Sequence, residues 1–183
     1  MSPPGSSEGL TGSVTLTATS ALKTGAGMVT IGLPRSLCPI VEAKTLEVMT
    51  KSLAETEERT ISTEALESLV IISRKMKATV IGPGLARNTN TRDLVLNYLQ
   101  RADLPLVVDA DGLTALAGQE EITANIKTPL ILTPHPGEMA KLMGLSTAQV
   151  QDERLNVALA CARKYHAYIV LKGSRTIIAS PNG

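Results

Sequence analysis

Short aliphatic runs alternate along the chain with longer segments in which apolar residues recur at helical spacing. The aliphatic runs predict strands around 78–82, 104–108, 129–133 and 168–171. Their nearly continuous hydrophobicity is typical of strands buried on both faces. Strands that alternate with helices in this way favour a three-layer α/β fold, with a mostly parallel central sheet flanked by helices.

Helix-capping residues, a helix-breaking proline and the spacing of apolar residues predict the remaining helices and strands. Ser62 is a candidate N-cap, Gly144 is a candidate helix end, and the segment from Ser146 to Gln149 has the form of a capping box. Pro39 interrupts any helix that begins at Ser36, so 34–50 stays unassigned apart from its end. The other predictions are helices at Thr11–Lys23, 62–76, 91–101, 113–117, 137–143 and 146–166, and strands at 28–33, 176–179 and near 48–53.

The composition describes an aliphatic and weakly charged chain. Its 183 residues suit a single domain over 1–183, with 43% apolar and 19% charged residues. There is no Trp or Phe and there are three Tyr, so the core must be built from Val, Ile, Leu, Ala and Met. Scarce aromatics disfavour base stacking, and a net charge of +1 supplies no field that would attract nucleic acid or an anionic membrane. We therefore expect neither as a partner.

The expected cellular compartment is inferred from sequence signals that the chain does not show. No stretch reaches the ~20 apolar residues that a membrane helix needs, and residues 1–8 lack the apolar centre of a signal peptide. Cys38 and Cys161 are far apart in sequence and lack metal-ligand spacing, which favours small buried hydrophobes in a reducing compartment. We expect a cytoplasmic protein.

Two turns that follow predicted strands carry candidate chemistry. Gly82-Pro83-Gly84 precedes a helix, and its glycines let a phosphate or a ring approach the backbone, although it is equally a plain tight turn. Asp109 and Asp111 place two carboxylates at a strand end. Such a pair can bind a metal, a ribose or a water, or can simply form a turn and a helix cap.

The segment Thr133-Pro134-His135-Pro136-Gly137-Glu138 is the most informative turn. Two prolines fix φ and a glycine adds freedom, so the direction of the histidine is set by a rigid backbone. His135 could hydrogen-bond a substrate carbonyl or amide, or could be structural. Glu138 could simply favour the positive end of the following helix.

A last turn, Lys172-Gly173-Ser174-Arg175-Thr176, offers two cations and two hydroxyls around a glycine. These groups suit the phosphate of a nucleotide. The alternative is a solvated hairpin turn whose cations are there by chance.

The order of these turns is more specific than any one of them. GLTGS at 9–13, KTGAGMV at 23–29, IGPGL at 81–85, DAD at 109–111, TPHPGE at 133–138 and LKGSRT at 171–176 follow one another along nearly the whole chain. In this succession the chain resembles the ADP/ATP-dependent NAD(P)H-hydrate dehydratases, a carbohydrate-kinase-like domain with a ribokinase-type fold.

The resemblance implies a repair enzyme that returns hydrated NADH and NADPH (the S form) to NAD(P)H, a carbon–oxygen lyase. The nucleotide is ADP more often than ATP, with Mg2+ expected beside it. In this family the ring hydroxyl is phosphorylated and then lost as phosphate. A homotetramer, and an epimerase domain fused in the same gene, are further expectations of the resemblance.

The family's site residues transfer by position. Ser13 stands where an alanine usually lines the site of the hydrated cofactor, and Gly84 and His135 match two further contacts of that substrate. Lys172, Gly173, Ser174, Arg175 and Thr176 match the segment that binds the adenine nucleotide, with Asp109, Asp111 and Glu138 as candidate supporting residues.

Departures from the family pattern concern both ends of the chain. The family's first strand is missing before Gly5, and its Gly-Asp segment, which carries the expected catalytic aspartate, would follow Gly183. We therefore expect a fragment, truncated at both ends, that turns over negligibly by itself. The alternatives to the dehydratase are a kinase of the same fold class, acting on a sugar or a hydroxymethylpyrimidine, and a truncated domain that only binds.

Overall fold

The computed structural model describes residues 10–183, which form two compact units. The first contains the residues up to Ile71 together with Pro83–Leu94, and the second contains Ile72–Gly82 and Val95–Gly183. Gly9, at the start of the GLTGS segment, and residues 1–8, on which the signal-peptide expectation rests, lie outside the described residues. A single domain over 1–183 stays a prediction.

The first unit contains a pair of parallel strands and two helices around an aliphatic core. β1 (Thr30–Pro34) pairs with β2 (Met49–Leu53), while α1 (Thr11–Lys23) and α2 (Cys38–Glu42) supply helical residues to the core. This core contains the buried residues Ala18, Ile31, Leu33, Cys38 and Val41. The helix predicted at Thr11–Lys23 is therefore confirmed to the residue.

The second unit contains a five-stranded sheet. Its strands are β3 (Thr79–Ile81), β4 (Leu106–Val108), β5 (Leu130–Leu132), β6 (Tyr168–Leu171) and β7 (Ile177–Ala179). They are hydrogen-bonded in that order, with parallel pairs from β3 to β6 and an antiparallel pair between β6 and β7. The predicted mostly parallel sheet is confirmed.

Helices precede β3 and connect the parallel strands of this sheet along the chain. They are α3 (Leu66–Ser73) and α4 (Thr89–Arg101), each shared in sequence between the two units, and then α5 (Asp111–Leu116), α6 (Glu120–Ala124), α7 (Pro136–Met143), α8 (Thr147–Asp152) and α9 (Arg154–Lys164). The predicted flanking helices are thereby confirmed, and α6 is an element that periodicity did not predict.

The core of the second unit is aliphatic, as the composition requires. In β4, β5 and β6 every second residue is buried, namely Leu106, Val108, Leu130, Leu132, Ile169 and Leu171. Tyr165 adds a fully buried ring, and its hydroxyl donates to the carbonyl of Leu142 at 3.0 Å. A buried hydroxyl needs such a partner, because an unpaired one is costly.

The structure corrects the helix predicted at 146–166. Ser146 does form the predicted capping box, since its Oγ accepts the N–H of Gln149 at 3.2 Å and the Gln149 side chain accepts the N–H of Ser146 at 2.8 Å. Glu153, however, leaves helical geometry with φ −123° and ψ 38°, so that α8 stops and α9 begins at Arg154. Neither glycine nor proline marks this break, so the prediction of one continuous helix is wrong.

The structure also differs from the predictions made for Pro39 and Ser62. Pro39 lies in the first turn of α2, where no intrahelical N–H is lost, so it starts a short helix instead of preventing one. Ser62 is extended ahead of a 3₁₀ turn (Thr63–Ala65), but its hydroxyl makes no capping hydrogen bond. No helix within residues 10–183 combines the length and the apolar character needed to cross a membrane.

Candidate functional site

The carboxyl ends of four parallel strands bring several predicted residues to one edge of the second unit's sheet. Gly82 follows β3, Asp109 follows β4, Thr133 follows β5 and Lys172 follows β6. This edge is where open parallel sheets bind ligands. Backbone bonds tie the ends together: Asp109 N–H donates to the carbonyl of Ile81 at 3.1 Å, and Lys172 N–H donates to that of Pro134 at 2.8 Å.

The glycine at the end of β3 allows a close approach of two backbones. Gly82 has φ +123°, and a Cβ there would lie 1.7 Å from the carbonyl oxygen of Asp109. Only glycine fits such a position. Ala110, directly after Asp109, also has positive φ, at 50°, and leads into α5. The DAD turn is therefore pressed tightly against the end of β3.

A charge cluster joins three of the predicted residues. The Lys172 ammonium donates to Asp109 Oδ1 at 2.7 Å and lies 3.8 Å from Glu138 Oε2. Glu138 is nearly buried, with 11% of its side chain exposed, while 41% of the Lys172 side chain and 29% of the Asp109 side chain are exposed. The ammonium is thus oriented by two carboxylates while part of it still faces solvent.

His135 is the N-cap of α7. Its Nδ1 accepts the N–H of Gly137 at 3.0 Å and that of Glu138 at 3.3 Å, while Glu138 Oε2 accepts the N–H of His135 at 2.8 Å. An Nδ1 that accepts leaves the proton of the neutral ring on Nε2. Nε2 lies 3.5 Å from Glu138 Oε1, and 57% of the His135 side chain is exposed, so the ring is accessible while its Nε2 lies beside that carboxylate.

The Lys172–Thr176 turn is shaped by a side chain that the sequence did not single out. Arg154, at the start of α9, donates from one guanidinium nitrogen to the carbonyls of Leu171 at 3.3 Å, Lys172 at 3.4 Å and Arg175 at 3.5 Å. Within the turn the Thr176 hydroxyl donates to the carbonyl of Gly173 at 3.2 Å. No signal in the sequence marks Arg154, because neither the start of α9 at this residue nor its backbone partners can be recognised from residue types.

The first unit contains an apolar cavity of its own. Leu10, Val14, Leu33, Leu37, Ile61 and Gly84 are among its lining residues. Gly84 has φ +73°, and a Cβ there would lie 2.9 Å from the carbonyl oxygen of Leu10. Ser13 is exposed on the first turn of α1 and is not one of the residues that line this cavity.

Comparison with known proteins decides between the classes that this geometry allows. A family model for NAD(P)H-hydrate dehydratases matches residues 5–183. The chain belongs to the NAD(P)H-hydrate dehydratase family. A bifunctional NAD(P)H-hydrate repair enzyme of Moorella thermoacetica is 48% identical over 179 residues, which are 98% of this chain and 34% of that protein. The chain thus spans about a third of the length of that curated relative.

Solved structures agree with the family assignment. The ADP/ATP-dependent NAD(P)H-hydrate dehydratase from Bacillus subtilis, co-crystallised with ATP/Mg2+, matches with a TM-score of 0.76 at 28% identity, over 98% of this chain and 59% of that one. A ribokinase-like superfamily protein from Enterococcus faecalis matches with a TM-score of 0.73 at 21% identity, over 92% of this chain and 55% of that one. The ribokinase-like fold is therefore confirmed.

The family's predicted residues are distributed over both units. Ser13 and Gly84 belong to the first unit, whereas Asp109, His135 and Lys172 belong to the second. The second unit brings Asp109, Glu138 and Lys172 into direct contact, and it places Asp111 in the first turn of α5. Within residues 10–183 no group of three or more His, Cys, Asp or Glu side chains is placed to hold a metal ion.

Proposed function

We propose that this protein takes part in the nucleotide-dependent dehydration of hydrated NADH and NADPH, with ADP preferred over ATP. The match of residues 5–183 to the dehydratase family carries the proposal. The terminal phosphoryl group of ADP would pass to the ring hydroxyl. Phosphate would then leave with the bonding electrons while the ring loses a proton, giving NAD(P)H and AMP.

The role of Lys172 in this proposal follows from its surroundings. An ammonium held 2.7 Å from Asp109 Oδ1 is fixed in direction before any ligand arrives. Its partly exposed position lets it contact a phosphate, and a preorganised cation stabilises charge that develops during phosphoryl transfer. Gly173, Ser174, Arg175 and Thr176 would supply backbone and side-chain donors to the same nucleotide.

Magnesium would accompany the nucleotide. Mg2+ is usually bound through substrate phosphates, waters and one or two carboxylates, not by an all-protein cage. The carboxylates of Asp109 and Glu138 face Lys172, and no metal-binding cluster lies within residues 10–183. We therefore expect phosphate oxygens to be its main ligands.

Contacts with the hydrated cofactor remain predictions for three residues, each to be tested by itself. In the first unit these are Gly84, which lines the apolar cavity, and Ser13, which is exposed on α1. In the second unit His135 offers Nε2–H on an exposed side chain. The homotetramer, the fused epimerase domain and the cytoplasmic location likewise stay predictions.

The test is a coupled product analysis with the complete protein. Hydrated NADH and ADP are mixed with it, and both NADH absorbance and free phosphate are measured. Restored NADH with stoichiometric phosphate supports the dehydratase. A stable phosphorylated product would instead favour a small-molecule kinase, and nucleotide binding without turnover would favour a binding-only domain.

A further inference from the structure

The guanidinium of Arg154 holds three main-chain carbonyls of one turn. One nitrogen donates to the carbonyls of Leu171, Lys172 and Arg175 at 3.3 to 3.5 Å, and the other donates to the Gln151 side chain at 3.0 Å. Arginine presents its donors in a rigid planar fork. A single side chain on α9 is thus bonded to both ends of the segment between β6 and β7.

This placement works against the helix to which Arg154 belongs. Arg154 is the first residue of α9, next to the positive end of the helix dipole. A cation there is unfavourable by about 0.3–1 kcal/mol. The unfavourable position is offset by the three carbonyls, each of which presents a partial negative charge to the guanidinium. The hydrogen bonds of Arg154 therefore stabilise the turn between β6 and β7 and do not stabilise α9.

Gly173 also suits the contact between Arg154 and this turn, because it leaves room for the guanidinium. Gly173 has φ +134°, and a Cβ there would lie 3.2 Å from Arg154 Nη1 and 3.4 Å from Nη2. Any side chain would be strained by the backbone and would also press on the guanidinium. Arg175 has positive φ as well, at 54°. The turn thus has an unusual backbone whose geometry Arg154 helps to hold.

The carbonyl contacts fix which way the N–H groups of the turn face. In a trans peptide the carbonyl and the next N–H point in opposite directions, and the described chain has no cis peptide bond. Carbonyls of Lys172 and Arg175 that face Arg154 therefore turn the N–H groups of Gly173 and Thr176 away from it. Main-chain N–H groups that face outward from a turn in this way are available as donors to an anion.

We infer that Arg154 is a positioning residue for nucleotide binding: by holding the carbonyls of the Lys172–Thr176 turn, it presents the opposite N–H groups of that turn to a nucleotide phosphate. The inference rests on the proposed function, because it assumes that this turn binds the nucleotide. Arg154 itself acts through the backbone and need not touch the ligand.

The experiment compares variants of the complete protein in two measurements. Arg154→Gln and Arg154→Ala remove the fork, Arg154→Lys keeps the charge alone, and Arg163→Gln is the matched control, an exposed arginine near the end of the same helix. ADP affinity is measured by calorimetry, with and without added guanidinium ion for Arg154→Ala. Amide hydrogen exchange over 172–176 is measured without ligand, and melting temperatures confirm folding.

We expect Arg154→Gln to bind ADP about tenfold more weakly or worse, since hydrogen bonds to charged groups contribute about 1.5–3 kcal/mol. Arg154→Lys should be intermediate, and guanidinium ion should restore part of the affinity of Arg154→Ala, an effect that a general loss of stability would not show. Exchange should quicken in Arg154→Gln at Lys172, whose N–H is protected by its bond to the carbonyl of Pro134, and Arg163→Gln should stay within about twofold of the wild type for ADP.

Unchanged ADP affinity in Arg154→Gln would overturn the inference, and so would unchanged exchange at Lys172. If the wild type itself binds no ADP, this turn is not a nucleotide site, and the proposed role of its N–H groups in binding phosphate is wrong. The exchange data then still decide whether Arg154 orders the turn. Failure of the proposed function and failure of the positioning role are therefore distinguishable.

Discussion

His135 has a structural task that is visible in its contacts and a substrate contact that is predicted for it. Its Nδ1 caps α7, and its Nε2 lies 3.5 Å from Glu138 Oε1 on a ring that is partly exposed. Asparagine is a good N-cap, whereas alanine is a poor one. The two tasks can therefore be separated by substitution, since asparagine keeps an acceptor for the helix but lacks a group that reaches as far as Nε2.

We predict that His135→Ala lowers the free energy of unfolding by about 1 kcal/mol, because the N-cap is lost. His135→Asn should keep most of this stability yet still impair turnover of hydrated NADH. Denaturant titrations and the NADH absorbance assay give the two quantities. Full activity in His135→Asn would show that the imidazole serves α7 alone.

Lys172 should contribute more to binding than to folding. Its ion pair with Asp109 is partly exposed, and such pairs contribute about 0–1 kcal/mol to stability. We predict that Lys172→Met changes stability by no more than that but weakens ADP binding by about tenfold or more, because a charged phosphate contact is lost. Calorimetry and denaturant titrations test both. Lys141→Met, at an exposed lysine in the last turn of α7, is the control and should leave ADP affinity unchanged.

At the scale of elements, the end of β3 depends on Gly82. A Cβ there would lie 1.7 Å from a backbone oxygen, which cannot move away as a flexible side chain could. We predict that Gly82→Ala lowers the free energy of unfolding by about 3 kcal/mol or more.

Gly118→Ala is the matched comparison for this steric contact. Gly118 has φ +74°, but a Cβ there would meet nothing within 4 Å. Gly118→Ala should therefore lower the free energy of unfolding by the backbone strain alone, about 1–2 kcal/mol. Equal losses at the two positions, measured in the same denaturant, would contradict the close approach of Gly82 to Asp109.

Most elements could be predicted from local pattern. The aliphatic runs before Gly82, Asp109, Thr133 and Lys172 gave strands that the structure has. The expected burial on both faces is not what the structure shows throughout, because Val80 is 44% and Tyr168 is 46% exposed. The break at Glu153 left no such mark, since it depends on a non-helical ψ at a residue that favours helices. Short α6 was missed because five residues carry too little periodicity.

The site could be predicted only in part, because its residues are recognisable alone but their contacts are not. The TPHPGE and KGSRT turns were evident, and the structure places both at the carboxyl edge of one sheet. Glu138 belongs to the capping box of α7, and its Oε2 also lies 3.8 Å from the ammonium of Lys172. The second contact depends on the register of β5 and β6, which the sequence does not show. Arg154 was missed because its partners are backbone carbonyls, which no residue type reveals.

At the scale of the whole molecule, buried protonated groups link stability to pH. Burial raises the pKa of the Cys161 thiol from 9.0 to about 12, and burial also raises the pKa of the Tyr165 hydroxyl above its usual 10.0. Between these values the unfolded chain has released protons that the native state keeps. The stabilisation is therefore complete below the unfolded pKa values and is lost as pH rises.

We predict that the free energy of unfolding falls as pH rises from about 9 toward 12, with Cys161 contributing up to about 1.4 kcal/mol per pH unit. Cys161→Ala should show a shallower fall, because the titration of Cys161 is removed. Denaturant titrations at a series of pH values give the slopes. Identical slopes for the wild type and Cys161→Ala would contradict burial as the cause.

Membership of the dehydratase family is the basis of the reaction proposed for the whole protein. The most direct measurement mixes hydrated NADH with the complete protein and follows the absorbance of NADH before and after ADP is added. We predict no change before ADP and recovery of NADH with release of phosphate afterwards. The absence of recovery with ADP and with ATP alike would contradict the proposed function.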